Sequence, residues 1–193
     1  MAEIGIDDLP AATRARFVDD DAAQAALDAV LAAARHHCGW HVSPVKTGDV
    51  LTLDGPGVSV LDLPTGKLNA LTSVTEDETA LDVTKLTWSG RGLVRKKSGA
   101  RWSCHYRSIV ATITHGFTEA EAADWRRAIV AMVDAVSQSL TAEAETSGAL
   151  KRKKVDDTEY EWSDQDFAES ASQAVYSVSA VLDQYRCETV LFA

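Results

Sequence analysis

The chain has 193 residues, 46% of them hydrophobic, with 29 acidic against 19 basic side chains and a net charge of −10. That length suits one domain with a proper core, and the acidic balance argues against coating nucleic acid by phosphate neutralisation. The longest apolar stretch, around Ile129–Val133, falls far short of the ~20 residues of a membrane span, and the N-terminus has neither the basic nor the apolar region of a secretory signal.

Residues 1–18 read as a lead-in, punctuated by Leu9-Pro10 and Thr13, with Phe17-Val18 as its anchor to the body. A helix is predicted over 20–38. Asp19–Asp21 supply an N-cap and oppose the macrodipole. Leu27, Val30, Leu31, Ala34 and Cys38 fall on one helical face, and Gly39 closes the helix as a C′ residue. Over 49–114 the period changes to alternation. Val50, Leu51 and Leu53 run into the turn Asp54-Gly55-Pro56-Gly57, and Val58–Leu61 returns as a strand. Leu68–Thr75 is a strand closed by the polar turn Glu76-Asp77-Glu78. Lys85–Trp88 and Gly92–Arg95 flank Ser89-Gly90-Arg91, and Ser108–Thr114 is the best strand in the chain. This is a small antiparallel β-module, without the βαβ signature.

The helical period then returns. Thr118 and Glu121 form a capping box ahead of a central helix over 119–145, whose apolar face carries Trp125, Ile129, Met132, Val133, Val136 and Leu140. Lys151-Arg152-Lys153-Lys154 is a basic knot, and 156–162 reads as extended. A last helix over 163–186 starts at Ser163. Its apolar side holds Phe167, Ala171, Ala174, Val178, Val181, Leu182 and Tyr185. Residues 187–193 form an apolar tail. The expected class is α+β: three main helices forming a helical core, with a small antiparallel β-module inserted between helix 1 and helix 2.

Chemistry is sparse. No nucleophile elbow, phosphate-binding glycine loop, dinucleotide fingerprint or Cys-x-x-Cys pair is present. The three cysteines, at 38, 104 and 187, are odd in number and widely spaced. They imply no disulfide framework and fit a reducing compartment. His36-His37-Cys38-Gly39-Trp40-His41 is the most suggestive cluster. Its neighbours on one helical turn point apart, and Cys104-His105 is a poor partner for a zinc site, so no metal site is assigned. Cys38 is read as core, with His36 and His37 at the helix end. The acidic runs lack an EF-hand pattern. Two basic patches, Arg95-Lys96-Lys97 and Lys151–Lys154, are placed in loops, as solubilising charge or as contacts to an acidic neighbour or passing phosphates.

Several phrases, in order, resemble one family. They are Arg35–Val42, Val50–Gly57, Leu71–Asp77, Ala80-Leu81-Asp82, Leu86–Ser89, Gly92–Arg95, Arg101-Trp102 and Tyr106-Arg107. The strongest is Val110-Ala111-Thr112-Ile113-Thr114-His115-Gly116-Phe117, running into the capped helix. Over roughly 20–145, and more loosely at Trp162–Arg186, the chain resembles the head-to-tail connector (adaptor) proteins of long-tailed bacteriophages, especially those of actinobacteria.

The resemblance implies a structural virion protein without catalysis or cofactor. It implies a single connector domain over 1–193 that forms a ring, usually of twelve copies, under the portal protein at the head–tail junction. Assembly would take place in the host cytoplasm. Its partners would be portal, the next neck protein on the tail side and other copies of itself, with genome DNA passing through unbound and no membrane involved. Twelve copies would carry roughly −120, an anionic collar that lets the DNA backbone slide. The expected portal-binding residues are Val190, Leu191 and Phe192 of the tail, because connector tails insert into portal, and then Lys151, Arg152, Lys153 and Lys154. The competing readings are another neck component (a stopper or tail terminator), a small metal-binding enzyme, and a host-side binding module.

Overall fold

The computed structural model describes residues 3–147, with backbone alone over 141–147, and 178–187. These fall into two compact units. One holds residues 38–122 and 185–187, the other residues 3–37, 123–147 and 178–184. The chain is α+β, and its described residues form two antiparallel sheets.

The helical unit begins with a 3-10 turn at Ile6–Asp8 and a short helix α1 (Ala11–Arg14). Phe17 anchors this lead-in at 9% exposure, whereas Val18 is 90% exposed and anchors nothing. Helix α2 spans Asp20–Cys38, as its period predicts. The Asp19 carboxylate accepts the Ala22 amide at 2.8 Å, which satisfies one of the first-turn donors. Leu27, Val30, Leu31, Ala34 and Cys38 are all buried.

Helix α3 spans Ala123–Ser147, four residues later at its start than expected. The capping box forms nonetheless: Thr118 N donates to Glu121 Oε2 at 2.9 Å, and Glu121 N to Thr118 Oγ1 at 3.4 Å. It closes a turn over 119–122, ahead of the helix proper. Trp125, Ile129, Met132, Val133 and Val136 are buried, as their spacing predicts, while Leu140 is only half-buried. Asp134 ties the lead-in to α3 by accepting from Thr13 Oγ1 at 2.6 Å and from Arg16 at 2.5 Å. Of the last predicted helix, residues 178–182 are described and helical, and Asp183–Tyr185 tighten to a 3-10 turn. Leu182 and Tyr185 are buried.

The β unit has seven strands: β1 Lys46–Leu53, β2 Val60–Asp62, β3 Leu68–Glu76, β4 Thr79–Leu81, β5 Leu86–Trp88, β6 Leu93–Lys96 and β7 Ile109–His115. The four-stranded sheet has the order β1-β7-β3-β4 and the three-stranded sheet β2-β6-β5. The predicted best strand is therefore central, paired on both sides. The turn at 54–57 is not a hairpin turn, because β1 pairs with β7 and β2 with β6. Pro56 and the glycines carry the chain from one sheet to the other. Gly55 is required there, since a Cβ would lie 2.2 Å from the Ser103 carbonyl oxygen.

Alternation sets the core. Ile109, Ala111 and Ile113 of β7 point inward with Leu68, Leu71 and Val74 of β3. They join Leu61, Val94, Leu86 and Trp102 in one buried cluster. At Glu76-Asp77-Glu78 the expected polar turn is a two-residue hairpin loop, with Asp77 at φ 46° and Glu78 at φ 65°. Both residues occupy the left-handed region, as a tight hairpin demands.

Candidate interaction surface

No group of three or more His, Cys, Asp or Glu side chains among the described residues is placed to hold a metal ion. His36 is exposed, and His37 Nε2 meets Asp183 Oδ1 at 2.8 Å within the helical unit. No described helix is long and apolar enough to cross a membrane.

One cluster looks catalytic in composition. Ser103, His105 and Asp77 meet at the exposed tip of the β unit. Ser103 Oγ lies 3.2 Å from His105 Nδ1, and that same nitrogen lies 3.1 Å from Asp77 Oδ1. A relay needs the nucleophile on one ring nitrogen and the carboxylate on the other; here both share Nδ1, so no relay forms. The His105 hydrogen bond, with that of Ser103, holds the Asp77 carboxyl below its ordinary range. These bonds brace the tip.

The patch Arg95-Lys96-Lys97 is not a loop of free cations. Arg95 and Lys96 end strand β6. Lys96 Nζ reaches Glu76 Oε2 at 2.5 Å with both side chains mostly buried, sits 4.7 Å above the Trp102 ring and donates to the Arg101 carbonyl at 2.9 Å. Glu76 in turn accepts the Ser103 amide at 2.7 Å. Lys96 is thus consumed by the fold, and only Arg95 and Lys97 remain exposed.

The predicted portal-binding residues Lys151, Arg152, Lys153, Lys154, Val190, Leu191 and Phe192 lie outside the described residues. Residues 185–187, which lead into the tail, are fixed on the β unit. Trp40 Nε1 donates to the Tyr185 carbonyl at 2.6 Å, and the Cys187 amide donates to the Cys38 carbonyl at 2.9 Å. Phe117 meets Tyr185 edge-on at 5.4 Å and Trp40 at 5.9 Å. Gly66 makes room for the indole, since a Cβ there would sit 2.8 Å from the ring. Beside it Lys67 lies over Phe117 and pairs with Glu121, whose carboxyl is pushed down to about 2 by Lys67 and by the two Thr118 donors.

His115 sits under this aromatic group, 6.1 Å from Trp40 and 5.8 Å from His41. Nε2 lies 3.1 Å from Asp49 Oδ2 and Nδ1 lies 3.1 Å from Thr65 Oγ1. A neutral ring satisfies both contacts, donating to the carboxylate and accepting from the hydroxyl. Burial lowers its pKa from 6.5, against the opposing pull of Asp49. A histidine with a depressed folded pKa binds fewer protons folded than unfolded, so it contributes stability fully above 6.5 and loses it as pH falls. Urea midpoints between pH 7.5 and 5.5 should therefore drop in the wild type, and less in His115→Gln.

A further surface feature is the outer face of the four-stranded sheet. Register places Val50, Thr112 and Ser73 in one row across three strands. Thr52, Val110 and Thr75 form the next row, extended by Ala80, and Thr114 pairs with Ala70 beyond them. All are half-buried or exposed, and none is charged. Val50, on the edge strand β1, is 61% exposed. At the tip end the face opens on a groove of about 360 Å³ lined by Thr75, Val110, Arg107 and Tyr106, and Tyr106 is 87% exposed. From the sequence, Val50, Leu68–Thr75 and Ser108–Thr114 read only as strand residues with no face assigned, although the alternate uncharged positions are visible there.

No family model matches the chain, and no curated protein matches it. Solved structures do. A chain from the neck of a native GTA particle, computed with C12 symmetry, aligns over 100% of this chain and 96% of its own length. The TM-score is 0.56 at 14% identity. A chain from the neck of an empty GTA particle, computed with C6 symmetry, aligns over 92% of this chain and 83% of its own, with TM-score 0.55 at 15% identity. The chain shares the fold of these neck proteins.

Proposed function

We propose that the chain is a structural subunit of a phage neck: a head-to-tail adaptor, one connector domain over 1–193, that rings the DNA channel under the portal. The observation that carries this reading is the end-to-end structural likeness to a neck chain solved with C12 symmetry. The ordered phrases of the sequence, which resemble the connector family, support the same reading. On this reading the copies close a ring, twelve in number, through heterologous contacts. Portal lies on one side and the next neck protein on the other. The three helices form the helical core, the net charge of −10 per copy keeps the DNA backbone from adhering, and the protein performs no catalysis.

Tail docking is part of the proposal. Trp40 and the Cys38 carbonyl hold residues 185–187, and in this proposal Val190, Leu191 and Phe192 are the first contact with portal, with Lys151–Lys154 as the second. The test is co-assembly of the full chain with its cognate portal, imaged by electron microscopy, beside a chain lacking 188–193. A ring stacked on portal and lost on truncation is expected. A ring that survives truncation would move the docking site to the basic knot, and no association with portal would overturn the adaptor reading.

A further inference from the structure

Arg95 and Lys97 remain exposed once Lys96 is used by the core, and the fold brings them a third cation. The Lys97 amide donates to the Lys85 carbonyl at 2.9 Å, which extends the β5–β6 ladder by a pair and sets Lys85 opposite Lys97. Leu86 and Val94 are buried, so alternation puts Lys85, Lys97 and Arg95 together on the outer face of the three-stranded sheet. Like charges directly opposite one another oppose folding. None of these cations forms an ion pair among the described residues. Asp82, beside Lys85 and Lys97, is already engaged by Thr84, accepting its amide at 3.0 Å and its hydroxyl at 2.6 Å.

The strand edge beside these cations is open. β5 is an outer strand of its sheet. Lys85–Lys97 and Ser89–Leu93 are hydrogen-bonded pairs of its ladder with β6, so Leu86 and Trp88 turn their main-chain groups to the free side. The Leu86 amide is taken by the Val83 carbonyl. The Leu86 carbonyl and both main-chain groups of Trp88 have no partner among the described residues. On the inner side the Trp88 ring is 40% exposed, and a cavity of about 310 Å³ opens between Leu81, Leu86, Lys85 and Lys97. The edge is thus cationic outside and apolar inside.

We infer that this edge takes up an added strand, and that its occupant is this chain's own segment Asp156–Trp162, which lies outside the described residues. The segment alternates with the period of a strand: Asp157, Glu159 and Glu161 fall on one side, Thr158, Tyr160 and Trp162 on the other. Laid along β5, the acids meet Lys85, Lys97 and Arg95, the aromatics cover Trp88 and the cavity, and the main chain completes the ladder. A slip of one residue would put the acids on Trp88, so the two patterns fit in one phase only. Nucleic acid would bring charge without main-chain groups for Leu86 and Trp88. An edge of three residues with exposed ion pairs binds weakly, and a tethered segment, at an effective concentration on the order of millimolar, is favoured there over a free partner. The inference does not depend on the ring or portal reading.

The test is hydrogen exchange of the full chain, read at the Trp88 amide. In the wild type this amide should be protected roughly tenfold or more above its level in Glu159→Lys with Glu161→Lys, and likewise above Lys85→Glu with Lys97→Glu. Joining both reversals in one chain should restore the protection, which damage to the fold would not do, and the amides of β7 should stay protected throughout. A synthetic peptide of residues 155–163 should protect Trp88 in the Glu159→Lys, Glu161→Lys chain, and the same peptide with Asn and Gln for its acids should not. Free exchange of Trp88 in the wild type, or protection that survives either reversal, would overturn the inference. So would a duplex DNA probe that binds through Lys85 and Lys97 and leaves Trp88 unprotected. No readout here involves portal, so failure of the adaptor reading would be seen separately.

Discussion

Replacing Trp40 by alanine is expected to cost about 3–5 kcal/mol, and at roughly 2–4 °C per kcal/mol for a chain of this size it should lower the melting temperature by about 6–20 °C. The indole is 6% exposed and packs against the Phe117 and His115 rings. Its N–H satisfies the Tyr185 carbonyl. Truncation therefore leaves a cavity beside Gly66 and an orphaned backbone acceptor, and the two penalties add. Trp40→Phe separates them. It keeps most of the packing, loses the donor, and should cost about 1–3 kcal/mol.

Hydrogen exchange supplies the second readout. In Trp40→Phe the amide of Cys187, bonded to the Cys38 carbonyl, should lose protection before the amides of the central strand β7 do. If the melting temperature falls without local opening at 185–187, Trp40 is core and not the clasp of the C-terminal segment. If the clasp opens, the docking proposed for the tail predicts weaker association with portal in the same variant.

Much of the fold was legible because burial repeats with a period. The face of α2 from Leu27 to Cys38 and that of α3 from Trp125 to Val136 are buried as their spacing demands, and Ser108–Thr114 differs from β7 by one residue at each end. What the sequence hid was pairing. The Asp54–Gly57 turn has the composition of a hairpin loop, but the partners of β1 and β2 lie some 60 and 30 residues away, and no local signal encodes such separations. The helix after Thr118 starts late for a related reason: a capping box specifies a turn, and the residues beyond it decide whether the turn propagates. The clasp at Trp40 joins residues 145 positions apart in sequence, so the Arg35–Val42 phrase could be noticed but not explained. The expected docking residues 151–154 and 190–192 fall outside the described part of the chain.

Lys96 and Lys97 are expected to part company. Read as a basic patch they are equivalent, and if both contacted phosphate or an acidic neighbour, neutralising either would weaken binding and leave stability alone. The structure makes them unlike. Lys96→Ala removes a mostly buried partner of Glu76, a cation from the Trp102 face and a donor from the Arg101 carbonyl. The Glu76 carboxylate is then left in a site only 14% exposed, with the Ser103 amide as its remaining donor. Breaking a fully buried pair costs about 3–5 kcal/mol, and some residual exposure brings the expectation to about 2–3 kcal/mol. Lys97 is exposed, and Lys97→Ala should stay within about 0.5 kcal/mol of wild type. The double variant Lys96→Met with Glu76→Leu distinguishes a lost brace from a lost contact: removing both charges together should recover most of the stability, since no ion remains unpaired. Urea unfolding of the four proteins decides the matter. Equal stability in Lys96→Ala and wild type would return Lys96 to the surface patch and leave the Ser103–Asp77 tip without its brace.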